Sequence, residues 1–224
     1  MLPWIQLDTV RVPGDKSELR LKQRGQEFSI MLGANELMNS RLSGSEEALA
    51  VLAQERIRDR PKPVVLIGGL GMGFTLRAAL AVLPADAKVV VAELVPAVVE
   101  WARGPMAEVF GGCLDDPRVS IHVGDVGELI RSSGAGFDAI LLDVDNGPDG
   151  LTRTSNDSLY DHQGLRASHE ALRKGGVLAV WSSGPDAKFT RRLKDSGFHA
   201  EAVKARASTK RSGARHVIWL AVKP

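Results

Sequence analysis

A glycine-rich turn between a buried strand and a helix constrains this chain more than any other feature. Four apolar residues, Val64-Val65-Leu66-Ile67, precede the turn Gly68-Gly69-Leu70-Gly71-Met72-Gly73, and residues 74–83 carry apolar side chains at helical spacing. Glycine is needed where backbone takes positive φ or lies against a ligand, and the following helix start presents free N–H groups. The strand, turn and helix therefore predict a site for a nucleotide-like ligand.

An acidic residue follows the next predicted strand. The apolar run 88–92 ends in Glu93, 20 residues after Gly73, where a parallel strand would place its carboxylate beside the turn and within reach of both ribose hydroxyls. The pyrophosphate-binding pattern G-x-G-x-x-G is not met, because Phe74 stands where its third glycine would fall. The pattern favours a nucleoside without a pyrophosphate, bound by Gly69, Gly71, Gly73 and Glu93; the alternative is a tight turn followed by a solvated glutamate.

Composition narrows the class of protein. The 224 residues are 44% hydrophobic, enough to fill a sizeable core, and 29 basic against 27 acidic residues give no case for nucleic acid as the main partner. No secretory pattern opens the sequence and no run of about 18 apolar residues occurs, so we expect neither secretion nor membrane insertion. The single Cys113 cannot form an internal disulfide, which suits a cytoplasmic protein.

Strand and helix patterns alternate from Val64 onward, and they include a helix from about 96 to 110 and a strand at 177–181. This alternation predicts right-handed βαβ units and an α/β fold: a doubly wound, mostly parallel seven-stranded sheet of Rossmann-like type. The last two strand patterns, 199–206 and 216–222, leave no room for a helix between them, so one of these strands must be antiparallel. Residues 1–42 read as a small β appendage built on a hairpin, with a possible further strand at 5–12, and residues 43–224 as the nucleoside-binding catalytic domain.

Acidic residues follow the third and fourth predicted strands of the main domain. Ligands of such sheets bind outside the carboxyl ends of the strands. Asp125 could accept a hydrogen bond from an exocyclic amine such as adenine N6, or cap the following helix. Asp143 directly follows the buried run 139–142, where an unpaired carboxylate is costly, so it is the candidate catalytic residue.

Three further residues are candidates for substrate contact. Asp145 and Asn146 lie just beyond Asp143, although Asp-Asn-Gly-Pro is also typical turn chemistry, and Tyr160 ends the long loop that follows. No metal is expected, because the five histidines have no i, i+4 pair and no cysteine partner. A magnesium-dependent methyl transfer is disfavoured, because the fifth strand ends in Trp181-Ser182-Ser183 without an acidic residue.

Taken together, these residues resemble those of the spermidine synthase (polyamine aminopropyltransferase) family, within the class I S-adenosylmethionine-dependent methyltransferase fold. The likeness runs over about 64–222 and extends more weakly to the N-terminal hairpin. It is carried by Val64 to Gly73, Glu93, Asp116-Pro117-Arg118-Val119, Val123-Gly124-Asp125, Phe137 to Asp143, Ser158-Leu159-Tyr160 and Leu172 to Leu178. The resemblance implies Glu93 on ribose, Asp125 on adenine, Asp143 beside the reacting amine and a homodimer.

The chain departs from the family pattern at two places. The synthases have Gly-Gly-Gly-Asp-Gly-Gly in the turn, where the Asp helps to hold the aminopropyl ammonium, and this chain has Gly71 instead. The family's Asp-x-x-Asp pair after the fourth strand has Asn146 as its second member here, with Asp145 one place early. Both changes remove negative charge from where a diamine and an aminopropyl group would bind.

The prediction is a transferase that uses S-adenosylmethionine or decarboxylated S-adenosylmethionine to alkylate a small acceptor, which we expect to be an amine, with a polyamine as one candidate. The sulfonium is already activated, so the protein has only to position the reactants, exclude water and remove a proton. Two alternatives stay open at this point. One is an S-adenosylmethionine-dependent methyltransferase, and the other is a non-catalytic nucleoside-binding homologue.

Overall fold

The computed structural model describes residues 2–144, 158–207 and 214–224. Their main elements are two β-sheets and seven α-helices. The smaller sheet is antiparallel, in the order β1-β2-β3-β4. Its strands are β1 (Ile5–Arg11), β2 (Glu18–Arg24), β3 (Glu27–Leu32) and β4 (Asn35–Asn39). The predicted hairpin and the predicted strand near residues 5–12 are both present. Strand β4 was not predicted, because it has only five residues and most of them are polar.

The larger sheet has seven strands in the order β10-β11-β9-β8-β5-β6-β7. They are β5 (Val64–Gly68), β6 (Lys88–Glu93), β7 (Val119–Val123), β8 (Phe137–Leu142), β9 (Leu172–Ser182), β10 (His199–Arg206) and β11 (Arg215–Val222). Strands β7, β6, β5, β8 and β9 pair in parallel, whereas β11 is antiparallel to both β9 and β10. The predicted fold class, including one reversed strand near the end, is confirmed.

Helices cover both faces of this sheet. They are α1 (Gly44–Ile57), α2 (Phe74–Val82), α3 (Pro96–Arg103), α4 (Ala107–Phe110), α5 (Val126–Ser132), α6 (His162–Ala171) and α7 (Ala187–Asp195). Alternate strand residues point to opposite faces: in β5, Val65 and Ile67 join the core that includes α1, α2 and α3, while Leu66 joins the core that includes α5, α6 and α7. The two cores hold the sheet between two helical layers.

Two predicted boundaries were wrong. The helix expected from about 96 to 110 is broken into α3 and α4, because the N–H of Gly104 closes α3 on the Glu100 carbonyl and Pro105 has no N–H with which to continue it. Strand β9 begins at Leu172 rather than 177, and a register shift opposite residues 137–139 accommodates the extra residues. Within the described ranges, no helix is long and apolar enough to cross a membrane.

A buried aspartate joins strands at the amino end of the parallel sheet. Asp138 is 1% exposed, and its Oδ2 accepts hydrogen bonds from the Val64 N–H at 2.9 Å and from Arg173 Nη1 at 2.7 Å. Arg60 Nη1 lies 3.7 Å from the other carboxylate oxygen. This carboxylate is at the opposite end of β8 from Asp143, so it stabilises the sheet without reaching the carboxyl-end cleft.

Candidate active site

The glycine turn passes directly over the end of the neighbouring strand β8. Gly69 has φ +91°, and a Cβ at this position would lie 2.5 Å from the backbone oxygen of Asp143. The Gly69 N–H donates to the Ala92 carbonyl at 2.9 Å, and the Asp143 N–H donates to the Gly68 carbonyl at 3.0 Å. The absence of a side chain thus lets the turn connect the carboxyl ends of β5, β6 and β8, which is where a ligand of this fold binds.

Glu93 is buried at the end of β6 and holds the turn. Its Oε2 accepts a hydrogen bond from the Leu70 N–H at 2.9 Å, and its Oε1 accepts one from the Val95 N–H at 2.8 Å. Burial raises the pKa of this carboxyl, whereas the backbone donors lower it. The N–H groups of Gly71 and Leu94 are also among these donors. The residue lines the cleft, where a carboxylate can accept hydrogen bonds from two vicinal hydroxyls.

Asp125 follows β7, and its position fits both roles that the sequence left open, which are capping the next helix and contacting a ligand. Its Oδ1 accepts a hydrogen bond from the Glu128 N–H at 3.0 Å, so it is the N-cap of α5. The same residue lines the cleft beside Gly124 and Val126. Capping fixes the side chain at the cleft wall and leaves its other oxygen available to a ligand.

Asp143 lies at the end of β8, on the wall of the same cleft. Its Oδ2 accepts a short hydrogen bond, 2.5 Å long, from the hydroxyl of Thr75 in the first turn of α2. Burial and then the negative charge of Glu46 raise the pKa of Asp143 to about 7, although the Thr75 hydroxyl lowers it. A carboxyl that titrates near neutrality can exist in both the proton-accepting and the proton-donating form at working pH.

Glu46 is a site residue that the sequence did not reveal. It is in the first turn of α1, lines the cleft and is close enough to Asp143 to influence its titration. In the sequence, Glu46-Glu47 has the ordinary explanation that acidic residues stabilise a helix N-terminus. Thr75 was missed for a similar reason, since threonine in a first helical turn carries no distinctive signal.

The cleft wall has a distinctive composition. Among its described residues are four carboxyl side chains and no lysine or arginine. The four are Glu46, Glu93, Asp125 and Asp143. The small sheet supplies an apolar part of the wall, composed of Val12, Leu19, Ile30, Leu32, Leu37 and Met38. An acidic, partly apolar cleft without a cation of its own suits a positively charged organic ligand.

Gly71 shows what replaces the acid expected in the turn. This residue has φ +51°, and a Cβ built on it would lie 2.7 Å from the sulfur of Met38. Strand β4 therefore places a thioether against the position from which a side chain at residue 71 would start. The loss of the acid in the turn is accompanied by an apolar contact from the small sheet.

The remaining predicted residues are placed differently. Gly73 has φ +74° and packs on Phe110, outside the cleft wall. Tyr160 is 2% exposed and packs edge-on against Phe189, with its hydroxyl 3.5 Å from the Val144 carbonyl, so it lies behind the wall. Its substrate role stays a prediction. Asp145 and Asn146 lie outside the described residues.

Comparison with known proteins extends these observations. The fold and the cleft define a protein of the Rossmann-like methyltransferase type. Residues 44–189 match the family model described as the spermine/spermidine synthase domain. The chain therefore belongs to the spermine/spermidine synthase family, as its sequence motifs indicated.

Individual relatives match over part of their length. A polyamine aminopropyltransferase of Mycobacterium tuberculosis is 33% identical over 137 residues, covering 60% of this chain and 25% of that protein. Putrescine N-methyltransferase 1 of Nicotiana tabacum is 34% identical over 121 residues, covering 54% of this chain and 30% of that protein. The chain thus spans about a quarter to a third of these two relatives. The crystal structure of spermidine synthase from Thermotoga maritima has a TM-score of 0.75 at 22% identity, covering 98% of this chain and 73% of that one.

Proposed function

We propose that this protein is a transferase that uses an S-adenosyl sulfonium to alkylate a small amine, with aminopropyl transfer from decarboxylated S-adenosylmethionine as the principal reaction. The observation that carries the proposal is the cleft wall, where the described residues include four carboxyl groups and no basic side chain. A sulfonium nucleoside and a protonated amine are both cationic. Each would therefore gain favourable electrostatic energy on entering this cleft.

The residues at the turn fit the nucleoside part of such a donor. Glu93 lines the cleft with a carboxylate that can accept hydrogen bonds from the ribose hydroxyls, and Asp125 lines it with one that can accept from the adenine amino group. Gly69 and Gly71 expose backbone to the cleft without a Cβ. The donor, when bound, supplies the activated carbon, and the chain supplies position and charge.

Asp143 is the proposed catalytic base. The acceptor nitrogen must lose a proton before its lone pair can form the new C–N bond, while the C–S bond breaks and its electron pair passes to sulfur. Asp143 takes the amine proton, for which a pKa of about 7 is suited, and Thr75 holds the carboxyl in place. Little other covalent chemistry is required of the protein.

Methyl transfer is the second candidate, and a specific observation favours it. Gly71 lacks the acid of the family's turn, and Met38 occupies the adjoining space, so the aminopropyl ammonium has lost one expected partner. One of the relatives that match this chain is named putrescine N-methyltransferase, so the matched region also occurs in a protein named for methyl transfer to a diamine.

The proposal also includes a cytoplasmic homodimer, in which residues 1–42 are an appendage to a domain of residues 43–224.

Calorimetric titration tests the donor. The purified protein is titrated separately with S-adenosylmethionine and its decarboxylated form, and each complex is then assayed for alkylation of putrescine and longer polyamines by mass spectrometry. Tighter binding of the decarboxylated form with addition of an aminopropyl mass supports the principal reaction. Preference for S-adenosylmethionine with addition of a methyl mass supports the second. Binding without any transfer points to the non-catalytic homologue, and the absence of binding to either nucleoside refutes the proposal.

A further inference from the structure

Two successive hydrogen bonds connect the Glu46 carboxyl to Ser45 on the same helix and then to His216 on β11. Ser45 is fully buried, and its hydroxyl donates to Glu46 Oε2 at 2.7 Å. His216 on β11 places Nδ1 2.8 Å from the Ser45 oxygen. When Glu46 is ionised, the single hydroxyl proton is directed at its carboxylate, so the histidine donates to the Ser45 oxygen through Nδ1–H. His216 is itself packed edge-on against Trp181, which lines the cleft.

This arrangement brings two carboxyl groups into one cleft, and the described part of the cleft wall offers them no counter-charge. Glu46 and Asp143 line the same wall, each accepts a hydroxyl hydrogen bond, and no described lysine or arginine lines the cleft with them. Burial raises the pKa of Glu46, as it does that of Asp143. Two like charges withdrawn from water are unfavourable unless a cation joins them. The hydroxyl bonds orient the pair but do not neutralise it.

We propose that Glu46 is the second acidic residue of the acceptor site, and that with Asp143 it binds the acceptor amine in its protonated, cationic form. Ser45 and His216 are positioning residues that fix the Glu46 carboxyl. The inference rests on the proposed function, and assigns to α1 a negative charge that the turn lacks at Gly71.

A binding experiment separates Glu46 from the nucleoside site. The protein is first saturated with 5′-methylthioadenosine, which has the nucleoside but no amine on its side chain, and is then titrated with putrescine at pH 7.5. The variant is Glu46→Gln, which keeps the size of the side chain and removes its charge. The matched control is Glu55→Gln, which removes one exposed carboxylate from the same helix.

The expected result is loss of putrescine affinity by about tenfold or more in Glu46→Gln, the usual effect of removing a hydrogen bond to a charged group. Affinity for 5′-methylthioadenosine should stay within about twofold in all proteins, and Glu55→Gln should bind putrescine as the parent does. Ser45→Ala should give a smaller loss in the same direction, because it frees the carboxyl without removing it.

Three outcomes would each overturn a different part of the argument, either this inference or the proposed function on which it rests. Unchanged putrescine affinity in Glu46→Gln overturns the role of Glu46. A parent protein that binds 5′-methylthioadenosine but neither putrescine nor a longer or shorter diamine overturns the cationic acceptor. A parent protein that binds no nucleoside overturns the proposed function itself.

Discussion

The free energy of unfolding of the Asp143→Asn variant, relative to that of the parent, should increase as the pH rises. The folded state holds the Asp143 carboxyl at a pKa of about 7, against an ordinary value of 3.8. Between these two values the folded chain keeps a proton that the unfolded chain has released. Stability is therefore complete below about pH 3.8 and is lost as the pH rises toward 7. Asparagine is neutral throughout and can still accept the Thr75 hydrogen bond, so it removes this loss.

The magnitude follows from the size of the shift. A difference of about three pKa units corresponds to about 4 kcal/mol when the titration is complete. About 1.5 kcal/mol of this is already lost at pH 5, so the interval from pH 5 to pH 8 contains 2–3 kcal/mol, as an order-of-magnitude figure. Part of Asp143 faces the cleft and Glu46 titrates beside it, so the measured change should lie toward the lower end.

Urea unfolding at pH 5, 6, 7 and 8 measures this difference. The free energy of unfolding of Asp143→Asn minus that of the parent should rise by about 2 kcal/mol across the series and level off above pH 7.5. The control is Asp86→Asn, which removes an exposed carboxylate by the same chemical change. A difference for Asp143→Asn that stays constant from pH 5 to pH 8 would refute the raised pKa, and with it the physical basis for a base at this position.

Three further changes test other parts of the structure. Glu93→Gln should weaken nucleoside binding by about 1.5–3 kcal/mol in calorimetry, because the charged acceptor for the ribose is lost; unchanged affinity would contradict the ribose assignment. Asp138→Ala should lower the free energy of unfolding by about 2 kcal/mol, because the partly buried Val64 N–H and the partly exposed Arg173 guanidinium lose their charged acceptor. A variant as stable as the parent in urea would show that this carboxylate does not join the strands. Gly71→Asp should cost about 1–2 kcal/mol from its φ of +51° and from contact with Met38, and adding Met38→Ala should recover the contact portion; no recovery in the double variant would mean that Met38 does not limit this position.

Local sequence patterns predicted the fold and the residues at the turn that we propose bind the nucleoside. Strand β5, the turn and Glu93 lie within 30 residues of one another, and the geometry of one βαβ unit determines how they meet. Asp125 and Asp143 were predicted because a parallel sheet brings the carboxyl ends of its strands to one edge. Those predictions needed only the order of the elements and the position of each acid relative to its strand.

The part of the cleft around Glu46, Asp143 and Gly71 depends on contacts between residues that are far apart in the sequence, which local patterns do not predict. Glu46 and Asp143 are 97 residues apart, and they meet only because α1 packs across β8 and β9 with its first turn at the cleft. Met38 reaches Gly71 from a strand that was not predicted, since five residues of mixed polarity give no clear alternation. Under the proposed function, both contacts would bear on substrate choice, which is the part of the function that the sequence left open.

The two contacts also explain how the chain can depart from its family's turn and still keep an acidic cleft. An aspartate at residue 71 would enter the space beside Met38 from a strained backbone conformation. A carboxylate on α1 needs neither positive φ nor space at the turn, and Ser45 and His216 hold it from behind. Under the proposed function, this places negative charge near Asp143 instead of at the turn. We therefore expect weaker binding of an ammonium on the donor and stronger binding of one on the acceptor, so the identity of the acceptor should depend more on Glu46 than on the turn.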